Sequence, residues 1–361
     1  LISANTEKLN MPTLPMGLGC VAASLAAAGH AVRFLDLMPV ADWRPLLAEA
    51  LAAAPEVIGI SIRNIDDQVS ENPRFLLEEA RAVVAACQAQ SRAPVVLGGA
   101  GFSIFPERVL DYTGADMGIQ GEGEAALLRL LERLSAGRPP DDVAGLYLRG
   151  RGLQAPRVLD PDLDRRPLPD PGLFDARLAE DPTCYLPVQS RRGCPLKCSY
   201  CSTPAIEGTL IRKRAPEKVV AWLARWRAAG FRRVYFVDNV FNLPAGYARD
   251  LCDRIAAAGL DLHWRCILYP GRVEAGLVRA MARAGCREAA LGFESGFQPI
   301  LDAMRKRFRL EDVGRTSRLL ADHGIGRMGF LLLGGPGETL DSARRSLEFA
   351  ESLNLEAVKV T

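Results

Sequence analysis

Short aliphatic and β-branched runs alternate with longer alanine- and leucine-rich stretches along most of this chain. Up to about residue 135, the runs 31–35, 57–61, 95–99 and 117–119 predict strands, and 17–29, 44–54, 73–90 and 124–136 predict helices. Strand and helix exchanged at this pace imply a doubly wound, Rossmann-like parallel sheet over 1–136. Ligands of such sheets sit beyond the C-terminal strand ends, where Gly98, Gly99, Gly101, Gly121 and Gly123 fall. Between 137 and 183 prolines recur from Pro139 to Pro182 and break any period. That stretch predicts a linker with one small hairpin, 145–148 against 158–159. Alternation then resumes over 184–361, with strands at 185–190, 233–238, 263–268, 288–293, 327–333 and 356–360. The intervening helices are expected near 215–229, 244–258, 273–284, 310–323 and 339–353.

Composition narrows the class without naming it. Charged residues make up 24% and hydrophobic ones 48%, as in ordinary globular proteins. A formal charge of +2 gives no reason to expect nucleic acid or an anionic membrane as partner. No apolar run reaches 18 residues, so no spanning helix is expected, and the N-terminus shows no signal-peptide layout; a reduced cytoplasm is the expected setting. The chain opens and closes on strand-like residues, Leu1-Ile2 and Val358-Lys359-Val360, as a core cut from a longer protein would.

The most informative chemistry is the run Cys194-Pro195-Leu196-Lys197-Cys198-Ser199-Tyr200-Cys201. Three thiolates spaced C-x3-C-x2-C on one loop suit three irons of a four-iron cluster. No fourth cysteine follows at a matching interval, so one iron is left open for a small molecule. A structural zinc site wants a fourth ligand, usually in a second pair, and a disulfide framework wants a small, loop-rich secreted domain. Neither fits. Cys20, Cys87, Cys184, Cys252, Cys266 and Cys286 are scattered and read as small buried hydrophobes.

With its aromatic Tyr200, the cysteine loop resembles that of the radical S-adenosylmethionine (SAM) enzymes. In that family the open iron chelates the amino and carboxylate groups of SAM, and electron transfer cleaves it to a 5'-deoxyadenosyl radical. The resemblance implies a partial (β/α)6 barrel over 184–361, with chemistry at the strand mouths. It further implies that Asp238 and Asn239 contact the SAM amino group, as both offer acceptor oxygens. Glu294 and Ser295, in Gly292-Phe293-Glu294-Ser295-Gly296, match the pair that meets the ribose and carboxylate. Gly334 and Gly335, in Gly334-Gly335-Pro336-Gly337-Glu338-Thr339, match the adenine region. Arg272 and, more weakly, Arg265 are carboxylate candidates.

A sheet unit in front of such a barrel resembles the cobalamin-binding class of the superfamily. The resemblance places Ser61, Arg63, Asn64, Gly98, Gly99, Ala100, Gly101, Gly121 and Glu122 around cobalamin, small residues leaving room for its nucleotide tail. The loop 5–13 lacks the histidine of D-x-H-x-x-G, and His30 is read as a helix-ending residue. The lower cobalt face then falls to Asn10, Met11 or the Arg63-Asn64 loop. The rivals are a plain nucleotide-binding sheet, against which the absence of G-x-G-x-x-G after the first strand argues, and a sheet that has lost its ligand.

What the class implies is transfer of a methyl group to an unactivated carbon or phosphorus centre of a small molecule or natural product. A reductant such as flavodoxin or ferredoxin would supply electrons. Ring contraction, cyclisation or oxidation on the same cofactors is the alternative, and a non-catalytic cofactor-binding regulator is a second.

Overall fold

In the computed structural model, residues 1–6, 12–67 and 72–361 are described, and they form two compact units. The first comprises Leu1–Asp175 with Ala205–Gly208, the second Ala176–Pro204 with Thr209–Thr361.

The first unit is a seven-stranded sheet in the order Leu35–Asp36, Ile2–Ser3, Ile58–Ser61, Val95–Gly98, Met117–Ile119, Leu146–Leu148, Gly152–Leu153. The first five are parallel and the last two antiparallel. Alternate side chains leave a strand on opposite faces, so each face builds its own core. Val95 and Leu97 pack with Leu47, Val84 and Leu110 from the helices Arg44–Leu51, Leu77–Gln90 and Pro106–Thr113. Val96 and Ile119 pack on the other face with Leu25 and Leu130 of Met16–Ala27 and Gly123–Ser135. The Met16–Ala27 helix ends in a Schellman reversal. Gly29, at φ +87°, donates to Ala26 (3.0 Å) and His30 to Leu25 (3.1 Å), which accounts for His30 through its backbone.

The proline-rich stretch differs in detail from its expected form. Its hairpin pairs Leu146–Leu148 with Gly152–Leu153 rather than with 158–159, and it extends the first sheet through Ile119 opposite Leu146. Gly150 and Gly152, at φ +74° and +68°, make the reversal where they stand. Val158 is left largely exposed. Val143 and Leu146 are wholly buried in the first unit, so the period is broken without a loss of packing.

The second unit is a six-stranded parallel sheet with strands adjacent in chain order: Leu186–Val188, Arg233–Phe236, His263–Leu268, Cys286–Glu294, Gly326–Leu331 and Ala357–Val360. The helices Pro216–Ala228, Ala245–Ala257, Ala275–Arg283, Leu310–Asp322 and Leu340–Ser352 connect them, giving the β/α succession of a partial barrel. Val234, Phe236, Trp264 and Cys266 are buried, with the Trp264 indole donating to Ala284 at the end of Ala275–Arg283 (2.7 Å). Tyr235 and Arg265 take the opposite face, where the Arg265 guanidinium lies over the Tyr235 ring at 4.8 Å. Among the described residues no helix is long and apolar enough to cross a membrane.

Candidate functional sites

The cysteine loop leaves a short antiparallel pairing of Arg191–Arg192 with Arg212–Lys213. Gly193 then turns the chain at φ +87° and Lys197 again at φ +56°. Cys194, Cys198 and Cys201 are free thiols, all half-buried, and the other six cysteines are buried. The loop is tied down along its length: the Cys201 amide donates to Cys198 (3.2 Å) and the Ser199 amide to Met304 (3.1 Å). Among the described residues no three His, Cys, Asp or Glu groups converge as a ready single-ion site. The case for a cluster therefore rests on the spacing and accessibility of three thiols held on one anchored loop. That donor set fits a cluster bound through three irons.

One wall of this loop is electrostatic. The Glu294 carboxylate accepts from the Tyr200 hydroxyl (2.9 Å) and the Lys306 ammonium (3.0 Å). Lys306, only 8% exposed, also donates to the Gly292 carbonyl (3.1 Å). Glu294 stands at φ +65°, where its strand slips register against Gly326–Leu331. A bulge of this kind re-aims a side chain at a strand end, and a non-glycine left-handed residue is a cost kept at sites that use it. Burial pushes the Cys198 thiol upward, against the pull of the Lys306 charge. Desolvation of the Tyr200 hydroxyl, followed by the Glu294 carboxylate, keeps that phenol firmly protonated.

The expected SAM residues separate into those that face a recess and those that do not. Asn239, Val240, Gly193 and Cys194 line a recess beside the loop. The Asn239 carbonyl accepts from the Thr203 hydroxyl (2.9 Å), which lies 3.2 Å from the Cys201 sulfur. Asp238 is a correction. It is fully buried, and its two oxygens already take both backbone amides of Ser190 and Arg191, the Ser190 hydroxyl and the Arg191 guanidinium. No acceptor is left for an ammonium. Ser295 is a second correction: it is wholly buried, 2.9 Å from the Ser346 hydroxyl, and accepts from the Phe297 amide. It fastens the Leu340–Ser352 helix. Arg272 is exposed, at φ +60°. The Gly334 and Gly335 amides both donate to Glu338, whose other carboxylate oxygen is buried without a hydrogen-bond partner among the described residues.

In the first unit, the strand order reverses between Ile2–Ser3 and Ile58–Ser61, which is where ligands of doubly wound sheets bind. A recess lies there, lined by Asn5, Thr6, Ile62, Arg63 and Asn64. Ser61, Gly98 and Ala100 are partly open at the strand ends. Gly99 and Gly101 do not leave the vacant slot expected of them. A Cβ on Gly99 would run into the Ile62 carbonyl and the Ser61 hydroxyl, and one on Gly101 into the Arg63 carbonyl at 3.2 Å. They let two backbone segments approach each other. Glu122 accepts from the Asp160 amide (3.0 Å), and Gly121 donates to the Ser103 hydroxyl (2.9 Å). Ser103, wholly buried, also donates to Gly99, so one side chain fixes the two glycine loops together. Asn10 and Met11 lie outside the described residues.

Lys306, Thr203 and Ser103 were not anticipated from the sequence. Lys306 stands in Arg305-Lys306-Arg307, which looks like a solvated charge run, and neither hydroxyl belongs to a motif.

Taken together, these features define a two-unit α/β protein with a cysteine-loop partial barrel and a doubly wound sheet with an open switch point. Comparison with known proteins places it further. Residues 2–131 match the B12 binding domain family and residues 188–350 the radical SAM superfamily. The tryptophan 2-C-methyltransferase of Streptomyces laurentii is 27% identical over 409 residues, spanning 94% of this chain and 68% of that enzyme. The cytidylyl-2-hydroxyethylphosphonate methyltransferase of Streptomyces wedmorensis is 25% identical over 411 residues, spanning 97% and 76%. A structure of the radical SAM methyltransferase TsrM from Kitasatospora setae, with tryptophan substrate and a SAM analogue bound, matches with a TM-score of 0.89 at 25% identity, over 100% of this chain and 72% of that one. The same enzyme with cobalamin and a [4Fe-4S] cluster matches at 0.88 and 24%. This chain belongs to the cobalamin-binding radical SAM enzymes. In those structures TsrM holds cobalamin and a [4Fe-4S] cluster, and a SAM analogue.

Proposed function

We propose that this chain transfers a methyl group to an unactivated carbon or phosphorus centre of a small-molecule substrate. The observation that carries the reading is the presence, in one chain, of a thiol loop with three accessible cysteines and an open recess at the switch point of a doubly wound sheet. When bound, the cluster supplies the electron that cleaves SAM, and cobalamin carries the methyl group.

The chain's own residues bind and orient. Cys194, Cys198 and Cys201 hold the cluster, and Gly193 and Lys197 turn the loop so that all three stay half-buried. Asn239 offers the second lone pair of its side-chain carbonyl, which also accepts from Thr203, to the SAM amino group beside Cys194, and Glu294 stands across from Tyr200 for the polar end of the same molecule. The Glu338 loop, with Gly334 and Gly335, is assigned to adenine, and the unpartnered carboxylate oxygen of Glu338 suits an exocyclic amine. In residues 1–136 the strand-end residues Ser61, Arg63, Asn64, Gly98 and Ala100 border cobalamin, while Gly99, Gly101 and Gly121 shape the backbone around it. The stretch 137–183 joins the two cofactor-binding regions. A flavodoxin or ferredoxin is the proposed reductant, and a reducing cytoplasm the proposed setting.

Anaerobic reconstitution with iron, sulfide and cobalamin tests the reading through its products. Methyl transfer predicts S-adenosylhomocysteine beside 5'-deoxyadenosine, with two SAM consumed per methylated product. 5'-Deoxyadenosine alone points to cyclisation, ring contraction or oxidation. Neither product, from protein with full iron and cobalamin content, points to a regulator.

A further inference from the structure

Lys306 is a buried cation that the reaction scheme above does not use. Its side chain is 5% exposed, yet it sits between two exposed arginines, Arg305 and Arg307. Isolated ammonium groups are expensive to bury. This one is held by the Glu294 carboxylate at 3.0 Å, the Gly292 carbonyl at 3.1 Å and three aromatic faces, with Tyr200 nearest at 5.3 Å. Tyr200 lies between Cys198 and Cys201, and the Ser199 amide is bonded to Met304, two residues before Lys306. The ammonium therefore abuts the middle of the cysteine loop, and its field reaches the Cys198 sulfur.

We propose that Lys306 sets the reduction potential of the cluster held by this loop, as a fixed positive charge offset in part by Glu294. The proposal rests on the cluster assignment to Cys194, Cys198 and Cys201. Reduction adds one negative charge to the cluster, and a nearby cation stabilises that state more than the oxidised one. The Lys306 side chain is only 5% exposed and its Glu294 partner 12%, so the field is screened less than that of a surface charge. Lys306 is thus a positioning and tuning residue rather than a catalytic one. The Lys306–Glu294 pair has opposed effects: the lysine raises the potential and the glutamate lowers it.

The test is a redox titration of the reconstituted protein without SAM, followed by electron paramagnetic resonance of the reduced cluster. Lys306→Met should lower the potential. At a fixed ambient potential the reduced-to-oxidised ratio should fall on the order of tenfold, equivalent to 59 mV for a one-electron couple. Lys306→Arg should stay near the wild type. Glu294→Gln should move the ratio the opposite way, and the double variant K306M/E294Q should return close to the starting value. If Lys306→Met folds poorly, Glu294→Gln still decides, because only an electrostatic role demands the opposite sign. Unchanged potentials in variants with full iron content would overturn the proposal while leaving the cluster assignment intact. A wild-type chain that takes up no cluster would overturn both.

Discussion

Asp238 and Arg191 form an ion pair (3.0 Å) with both side chains essentially out of solvent, at 0% and 2% exposure. The guanidinium also lies over the rings of Tyr247 and Phe241 at 4.6 and 5.2 Å and donates to the Leu243 carbonyl. Every polar atom of the carboxylate is used, and Arg191 stands three residues before Cys194. The pair therefore anchors the root of the cysteine loop to the end of the strand Arg233–Phe236.

Removing one partner of such a pair leaves the other charged and stranded. Asp238→Asn is expected to destabilise the second unit by about 3–5 kcal/mol, measured by denaturant unfolding of the cluster-free protein. Cluster loading should fall with it. An Asn variant of wild-type stability would show that the carboxylate is dispensable and the anchoring role misassigned.

Gly99 carries a different constraint. It stands at φ +95°, and a Cβ there would collide with the Ile62 carbonyl. Gly99→Ala is expected to cost roughly 1–3 kcal/mol in the first unit from backbone strain alone. Cobalamin should be lost from that variant, because the loop that moves is the one bordering the switch-point recess. Iron and sulfide content should not change. Retention of tightly bound cobalamin, measured by its absorbance after gel filtration, would separate Gly99 from the site.

Much of this was legible in the sequence, for reasons that differ along the chain. The strand expected at 263–268 is the observed His263–Leu268, and the expected helix 310–323 is Leu310–Asp322, because long periodic runs leave few alternatives. The helices Ala100–Ile104, Pro106–Thr113 and Gln298–Ala303 went unseen, as one or two turns carry too little period to read. At the site, Asp238 and Asn239 look equivalent as a dipeptide. Successive side chains past a strand point opposite ways, so one is sealed inside and the other reaches the recess. Lys306 is buried between the exposed Arg305 and Arg307, and that burial is a property of the packed fold that no local pattern encodes.

The three loop cysteines should behave unlike the buried ones. Cys194→Ala, Cys198→Ala or Cys201→Ala should abolish the sulfide-to-iron absorbance and all SAM cleavage, because the loop offers no substitute thiolate. Cys266→Ala should keep both. That thiol is wholly buried, and burial raises it well above the ordinary thiol range beside Cys286 and Cys252, so it stays protonated and cannot ligate iron. Full iron content in a loop variant, or its loss in Cys266→Ala, would contradict the assignment.

Asp36 makes the stability of the first unit depend on pH. It ends the strand Leu35–Asp36, and burial raises its carboxyl from 3.8 to about 6, despite bonds from the Met38 amide (3.3 Å) and the Ser3 hydroxyl. The folded state then holds a proton that the unfolded chain releases between about pH 4 and 6. Stability is fullest below pH 4 and is lost as pH rises through 6, the reverse of a salt-bridged aspartate. The difference between 3.8 and about 6 corresponds to roughly 3 kcal/mol, an upper bound for a group not wholly sealed from water. Asp36→Asn should therefore stabilise the first unit at pH 7.5 and leave it nearly unchanged at pH 4. Urea unfolding of wild type and variant at both pH values measures this directly. A gain that is equal at the two pH values would mean that the carboxyl is not the titrating group.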